Sequence, residues 1–144
     1  MSNKSRAWYS SSFDEILESS DEIILGHLYS NSDYAILDTQ KFAWIKQFEL
    51  LRKSLRGLKG TIHLEYNIPR MGRRIDAVLI IGPIIFVVEF KVGASQIDRS
   101  SINQVWDYAL DFAKYPNGKI VDLLHKHGGK TSEGLSGEYK ARRK

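Results

Sequence analysis

The chain has 144 residues, no cysteine, a formal net charge of +4 and an isoelectric point near 9.3. This length suits one domain that buries about two-thirds of its unfolded surface without disulfides. The longest apolar stretch is interrupted by Gly82 and Pro83 and ends at Glu89, so it is too short for a membrane span. We therefore expect a cytoplasmic protein that neither crosses a membrane nor depends on disulfides.

Residues 1–37 are predicted to form an N-terminal helical extension. A short helical pattern surrounds Phe13. Ser20 and Asp21 can cap a second helix that ends near Asn31, because short polar side chains satisfy the free N–H groups of a first helical turn.

A longer helix opens the predicted core, residues 38–125. Asp38 or Thr39 can cap this helix, which is predicted to end at about Leu58. Apolar residues follow the three-and-four spacing of one buried stripe. They are Phe42, Ile45, Phe48, Leu51, Leu55 and Leu58.

Three strands, a helix and a fourth strand are predicted next. The first strand is Thr61–Ile68, and two more flank the turn at Gly82. A helix is predicted from Ser100 onward, and residues 119–124 offer the fourth strand. This order predicts an α/β fold in which helices flank a mixed central sheet.

The charge is distributed unevenly. Residues 126–144 carry six basic and two acidic side chains, and residues 1–125 carry fifteen of each. Because the last segment also has few aliphatic residues, it is predicted to be a flexible basic tail.

Residues 41–74 form a basic block with nine basic and two acidic side chains. Such a block would attract a polyanion toward a neighbouring site. The alternative is an ordinary solvated helix face. The basic residues in question are Lys46, Arg52, Lys53, Arg56 and Lys59.

Three ionisable residues lie in or around the two apolar runs beside Gly82-Pro83. They are Asp76, Glu89 and Lys91, and unpaired burial of such groups costs several kcal/mol. A hairpin turn centred on the Gly-Pro dipeptide places Asp76 opposite Glu89. Lys91 joins the same face because side-chain direction repeats every two residues. The pattern predicts a divalent metal site with an ammonium beside it, and the alternative is a structural ion pair.

A second hairpin extends this row of carboxylates. If its turn is centred between Arg70 and Met71, Glu65 lies opposite Asp76. A slip of one residue would turn a carboxylate to the other face. The alternative role for Glu65 is a salt bridge to one of the nearby arginines.

Asp76 followed on the next strand by Glu89-Phe90-Lys91 resembles the active-site signature of the PD-(D/E)XK nuclease superfamily. The predicted order of elements is similar to the restriction-endonuclease-like αβββαβ core of that superfamily. Gln104 and Tyr108, four residues apart on a helix, resemble an additional motif of its RecB-like branch.

A narrower resemblance covers most of residues 1–115. The segments 68–76, 89–93 and 104–111 are similar to the N-terminal nuclease-like domain of bacterial proteins that fuse it to a Schlafen-related ATPase or helicase. The acidic residue that many members carry on the first core helix has no clear counterpart. Glu49 and Gln47 are its candidates, with Glu65 as a substitute.

The resemblance implies a nuclease that uses Mg²⁺ or Mn²⁺ to hydrolyse phosphodiester bonds, in DNA first and RNA as the alternative, in repair, restriction or defence against mobile DNA. Asp76, Glu89 and the Phe90 carbonyl would bind the metal. Lys91 would orient or deprotonate the attacking water and neutralise the developing oxyanion.

The remaining predicted site residues have weaker support. Glu65, Gln104 and Tyr108 complete the expected catalytic set, although Tyr108 also fits a core position. Phosphate contacts are expected from three arginines, for which ordinary surface charge is the alternative. They are Arg70, Arg73 and Arg74.

Two partner expectations accompany the nuclease hypothesis. Cutting both DNA strands would suit a homodimer, and the family resemblance implies an ATPase or helicase partner. The competing hypothesis is a catalytically silent nuclease-like module that binds nucleic acid or such a partner.

Overall fold

The computed structural model describes residues 5–68 and 72–114, which form four strands and four helices. The strands make one sheet in the order β1-β2-β3-β4, and each neighbouring pair is antiparallel. The elements are β1 (Tyr9–Ser12), α1 (Phe13–Glu18), α2 (Asp21–Asn31), α3 (Asp38–Leu55), β2 (Thr61–Ile68), β3 (Arg73–Ile81), β4 (Ile84–Val88) and α4 (Arg99–Lys114).

The described part of the chain is a mixed α/β fold, as the sequence predicts. Its sheet is antiparallel throughout, whereas a mixed sheet is predicted for the complete core. The predicted strand at residues 119–124 and the predicted tail at 126–144 lie outside the described residues.

Strand β1 corrects the prediction that the N-terminal region is purely helical. Tyr9 pairs with Leu64 and Ser12 pairs with Thr61. Three of the four β1 residues are serines, so the extended conformation comes from pairing with β2 and not from an apolar alternation. Ser12 then caps α1, because its hydroxyl accepts a hydrogen bond from the Glu15 N–H at 3.1 Å.

Helix α3 ends at Leu55, one turn earlier than predicted. Gly57 has a φ of +77°, a left-handed conformation that favours glycine and stops the helix. Leu58 therefore lies beyond the helix and is exposed.

The buried stripe of α3 also differs from the prediction at its start. Trp44 is 1% exposed, whereas Phe42 is 59% exposed. Trp44 and Phe48 are four residues apart and share the face that packs on the sheet, which turns Phe42 toward solvent. Trp44 thereby comes to face the strands, where it contacts a candidate site residue.

The β3–β4 hairpin has the predicted register. Ala77 pairs with Val88, and Gly82 at the turn has a φ of +55°. The next position therefore brings Asp76 opposite Glu89. The expectation that this strand also carries Glu89, Phe90 and Lys91 is wrong, because β4 ends at Val88.

The β2–β3 hairpin also has the predicted register. Leu64 pairs with Ala77, which puts Glu65 opposite Asp76. The turn residues 69–71 lie outside the described residues, but the pairing on the two strands agrees with the predicted turn centre.

The sheet separates two hydrophobic clusters. The first cluster joins the sheet to α1, α2 and α3, and it includes Phe13, Ile24 and Phe48. The second cluster contains Tyr108 of α4 together with residues of β2 and β3. The described residues thus form three layers, with α1–α3 on one face and α4 on the other.

The first cluster joins the predicted N-terminal extension to the predicted core. Phe13 and Ile24 come from the first 37 residues, and Phe48 comes from the core helix. A boundary at residue 37 stays a prediction. None of the described helices is long and apolar enough to cross a membrane.

Candidate metal and catalytic site

Asp76 and Glu89 hold each other in place at the end of the β3–β4 ladder. The Asp76 backbone N–H donates to Oε1 of Glu89 at 3.1 Å, and the Phe90 backbone N–H donates to Oδ2 of Asp76 at 2.8 Å. These two hydrogen bonds join the segments just beyond Val88, where the backbone pairing of β4 ends. Each carboxylate thus has one oxygen fixed by a backbone N–H, and the two side chains also form a hydrogen bond with each other.

The pKa values of these two carboxyl groups reflect their crowding. Burial raises the pKa of Glu89 to about 7, and the neighbouring Asp76 charge adds to this effect. Burial also raises the pKa of Asp76, while the Phe90 N–H, a side-chain hydrogen bond with Glu89 and the Lys91 charge oppose the rise. The fold therefore places two carboxylates where keeping both ionised is costly unless positive charge is added.

Lys91 is exposed and lies in the turn after β4. Its carbonyl accepts a hydrogen bond from the Ala94 N–H at 3.2 Å. Its positive charge lowers the pKa of Asp76 and also that of Asp98. Burial is therefore costly for Asp76 and Glu89 but not for Lys91, which lies at the solvent edge within electrostatic range of Asp76.

Glu65 is opposite Asp76 in the register, but its carboxylate is already engaged. Its two oxygens accept hydrogen bonds from Nε1 of Trp44 at 2.9 Å and from Nε of Arg74 at 3.3 Å. Burial raises the pKa of Glu65, and the Trp44 hydrogen bond opposes this rise. The salt-bridge alternative for Glu65 is the arrangement in the structure.

The three carboxylates predicted to lie in a row, those of Glu65, Asp76 and Glu89, do not form a three-ligand metal cluster. Within residues 5–68 and 72–114, no group of three or more His, Cys, Asp or Glu side chains is arranged to hold a metal ion. Glu65 is bonded to Trp44 and Arg74, which leaves Asp76 and Glu89 as the carboxylate pair at this site.

Arg74 is half-buried and lies beside Glu65. Its guanidinium lies 4.1 Å from the Trp8 ring centroid and 5.2 Å from that of Tyr34, and it donates to the Tyr34 hydroxyl at 2.8 Å. Its charge is paired with Glu65, and a contact between Arg74 and phosphate stays a prediction. Arg73 is exposed, and Arg70 lies outside the described residues.

Four of the five basic residues named for the helix face, on and just after α3, form ion pairs with carboxylates. Lys46 and Lys53 both pair with Glu49, at 3.4 and 3.0 Å, and Arg52 pairs with Asp21. Lys59 pairs with Asp14 at 2.7 Å. These pairs favour the solvated-face alternative for this helix. Glu49 pairs with two surface lysines, and its role as the first-helix acidic residue stays a prediction.

Gln104 and Tyr108 contact each other on α4. The Gln104 amide donates to the Tyr108 hydroxyl at 2.8 Å, and Tyr108 is 2% exposed within the second cluster. Tyr108 is therefore a core residue, which was its alternative role. Because α4 packs against β4, Gln104 is half-buried on the helix that covers the carboxylate-bearing strands.

Sequence reasoning missed the aromatic surroundings of Glu65. Trp8, Tyr34 and Trp44 all contact Glu65 or Arg74, although they are 21 to 66 positions away along the chain. No local pattern could link them, because each contact depends on how α2, α3 and β1 pack on the sheet. The one available signal was the spacing of Trp44 and Phe48 on α3.

Comparisons of the chain with protein-family models, with curated proteins and with solved structures found no match.

Proposed function

We propose that this protein is a metal-dependent nuclease of the PD-(D/E)XK type that hydrolyses phosphodiester bonds, with DNA as its substrate. The observation that carries the proposal is the Asp76–Glu89 pair, two crowded carboxylates locked by backbone N–H groups at the end of β3 and β4. Lys91 follows two residues after Glu89, and its charge acts on Asp76. This is the charge arrangement that phosphodiester hydrolysis needs.

The fold is compatible with a restriction-endonuclease-like core. From α3 to α4 the order is helix, three antiparallel strands, helix, which agrees with the first five elements of αβββαβ. Strand β4 ends the described sheet, and α4 packs against it. The sixth element, predicted at residues 119–124, lies outside the described residues.

The residues at the pair fit a hard divalent cation. Asp76 and Glu89 offer carboxylate oxygens, the Phe90 carbonyl offers a third oxygen, and no sulfur or imidazole ligand is needed for Mg²⁺ or Mn²⁺. Both carboxylates keep one oxygen that no backbone N–H fixes. When bound, the ion would supply an activated water and relieve charge on the phosphate.

The chain's own residues have distinct roles in this proposal. Asp76 and Glu89 bind the cation, and Lys91 orients the attacking water and neutralises the developing oxyanion. Its exposure leaves the ammonium free to meet substrate at the solvent edge. Arg73, which is exposed, is a candidate for phosphate contact, and Gln104 supports the strands from α4. Arg70, outside the described residues, is a second candidate for phosphate contact.

A cleavage assay tests the proposal. The full chain is incubated with single-stranded, duplex and branched DNA and with RNA, in Mg²⁺ or Mn²⁺, with a chelator as control. We expect metal-dependent cleavage that Lys91→Ala reduces by about 100-fold or more while leaving the fold and nucleic-acid binding unchanged. Lys53→Ala is the matched control, because Lys53 is a surface lysine paired with Glu49. Full cleavage by Lys91→Ala would refute the role of Lys91.

A second candidate function is a catalytically silent nuclease-like module that binds nucleic acid or an ATPase or helicase partner. The engagement of Glu65 by Trp44 and Arg74 favours it, since only two carboxylates are then left at the site among the described residues. Binding of DNA without cleavage under every metal condition would support this candidate over the first.

A further inference from the structure

Glu65 has an unusual backbone conformation for a strand residue. Its φ is +51°, and every other described residue with a positive φ is a glycine. A side chain makes this conformation costly, because its Cβ crowds the neighbouring carbonyl. The fold thus retains backbone strain at the position that faces Asp76, on the strand next to the candidate site.

Strand β2 changes its buried face at Glu65. Ile62 and Leu64 belong to the first cluster, whereas Tyr66 and Ile68 belong to the second. In a regular strand these four side chains would lie on one face. The left-handed residue between them produces the change and brings the Glu65 carboxylate to Trp44 on the helical face.

The Glu65 carboxylate is fixed from both sides. Trp44 donates to Oε1, and Arg74 donates to Oε2. The Arg74 guanidinium in turn lies over the Trp8 ring and donates a hydrogen bond to the Tyr34 hydroxyl. Glu65 is 7% exposed, so its charge has a defined position and is poorly screened by water.

We propose that Glu65 is a positioning residue for the Asp76–Glu89 pair. It keeps a fixed negative charge beside the pair without supplying a ligand oxygen, and it thereby strengthens the attraction of the pair for a divalent cation. This inference rests on the proposed function, because it requires the pair to bind a cation. The charge acts through space from the position opposite Asp76 and contributes to the raised pKa of Glu89. Its removal therefore weakens cation binding without removing the site.

The experiment measures Mn²⁺ binding by isothermal titration calorimetry on the full chain at pH 8. Glu65→Gln removes the charge and keeps an oxygen that can accept from Trp44. We expect its Mn²⁺ affinity to fall about 5- to 10-fold. Glu49→Gln is the matched control, because it removes an equal charge from the lysine-paired surface of α3, and we expect wild-type affinity.

A conservative variant separates charge from structure. Glu65→Asp keeps the charge with a shorter side chain, and we expect its Mn²⁺ affinity to be within about twofold of wild type. The indole N–H resonance of Trp44 and the thermal midpoint report on folding in each variant. If Glu65→Asp loses as much affinity as Glu65→Gln, the charge is not the operative property and the inference is overturned.

The remaining outcomes distinguish failure of this inference from failure of the proposed function. Unchanged affinity in Glu65→Gln overturns the inference, and so does a loss above about 100-fold, which would make Glu65 a direct ligand. Both outcomes leave the proposed function standing. A wild-type chain that binds no Mn²⁺ overturns the proposed metal site and this inference together.

Discussion

Two neighbouring carboxylate regions differ in the donors that surround them. Glu65 is buried against a guanidinium and an indole N–H, so its charge is partly compensated within the protein. Asp76 and Glu89 face each other, each accepts one backbone N–H, and the two side chains hydrogen-bond to each other. A compensated charge contributes to architecture, whereas a crowded pair with raised pKa values is where a cation is expected.

The largest expected effect is on the uncompensated region. Asp76→Asn keeps the shape of the side chain but removes the charge that binds a divalent cation. We expect metal-dependent cleavage to fall by about 1000-fold, measured as initial rates at saturating Mg²⁺. Wild-type rates in this variant would show that the pair is not the catalytic site. Its circular dichroism and thermal midpoint serve as folding controls.

The compensated region is expected to respond in stability. Arg74→Ala leaves the Glu65 carboxylate buried without its cation, so the free energy of unfolding should fall by about 2–3 kcal/mol in urea titrations. Lys53→Ala removes an exposed lysine from an ion pair with Glu49 and should cost under about 0.5 kcal/mol. Equal losses in the two variants would mean that Arg74 is only a surface charge.

Neutralising one carboxylate of the pair should raise the free energy of unfolding, whereas Arg74→Ala should lower it. Without metal, Glu89→Gln removes repulsion from Asp76 and is expected to stabilise the protein by about 1 kcal/mol at pH 8, a value reduced by solvent screening of a half-buried side chain. The same variant should lose the rise in thermal midpoint that Mn²⁺ gives the wild type. Destabilisation at pH 8 would contradict the account of the pair as uncompensated.

The pH dependence of stability follows from the same group. The pKa of Glu89 is raised from its ordinary value to about 7, so between pH 4.5 and 7 the folded state binds more protons than the unfolded state. In chelator, the free energy of unfolding should therefore decrease by about 1 kcal/mol as pH rises through this window. Urea titrations at pH 5 and 8 measure it. The decrease should be smaller in Glu89→Gln.

The smallest effect is expected at the indole that supports Glu65. Trp44→Phe removes the N–H donor and some volume, while the aromatic ring stays in the first cluster. A loss of about 1 kcal/mol in the free energy of unfolding is expected, with Mn²⁺ affinity nearly unchanged because the Glu65 charge is retained. A large drop in Mn²⁺ affinity would show that the hydrogen bond, rather than the charge, supports the site.

The sequence predicts the hairpin registers because they depend on local turns and alternating apolar residues. Asp76 is opposite Glu89 and Glu65 is opposite Asp76, as the turn positions require. Helix α3 is likewise predicted to within one turn, since its stripe and Gly57 are local signals.

The sequence does not predict features that depend on distant packing. Strand β1 is extended because β2 offers an edge, and Arg74 is half-buried because its guanidinium lies against Trp8 and Tyr34. The left-handed backbone of Glu65 carries no sequence signal, since glutamate rarely adopts it. The strand register alone predicts three carboxylates in a row, but the left-handed backbone of Glu65 turns its carboxylate toward Trp44.

The central claim is that Asp76 and Glu89 form a divalent cation site. Anomalous diffraction from crystals soaked in Mn²⁺ tests it most directly. The account predicts one strong peak between the two carboxylates, lost in Asp76→Asn crystals. Crystals of the wild-type chain with no peak there, or with Mn²⁺ bound only elsewhere on the surface, would contradict it.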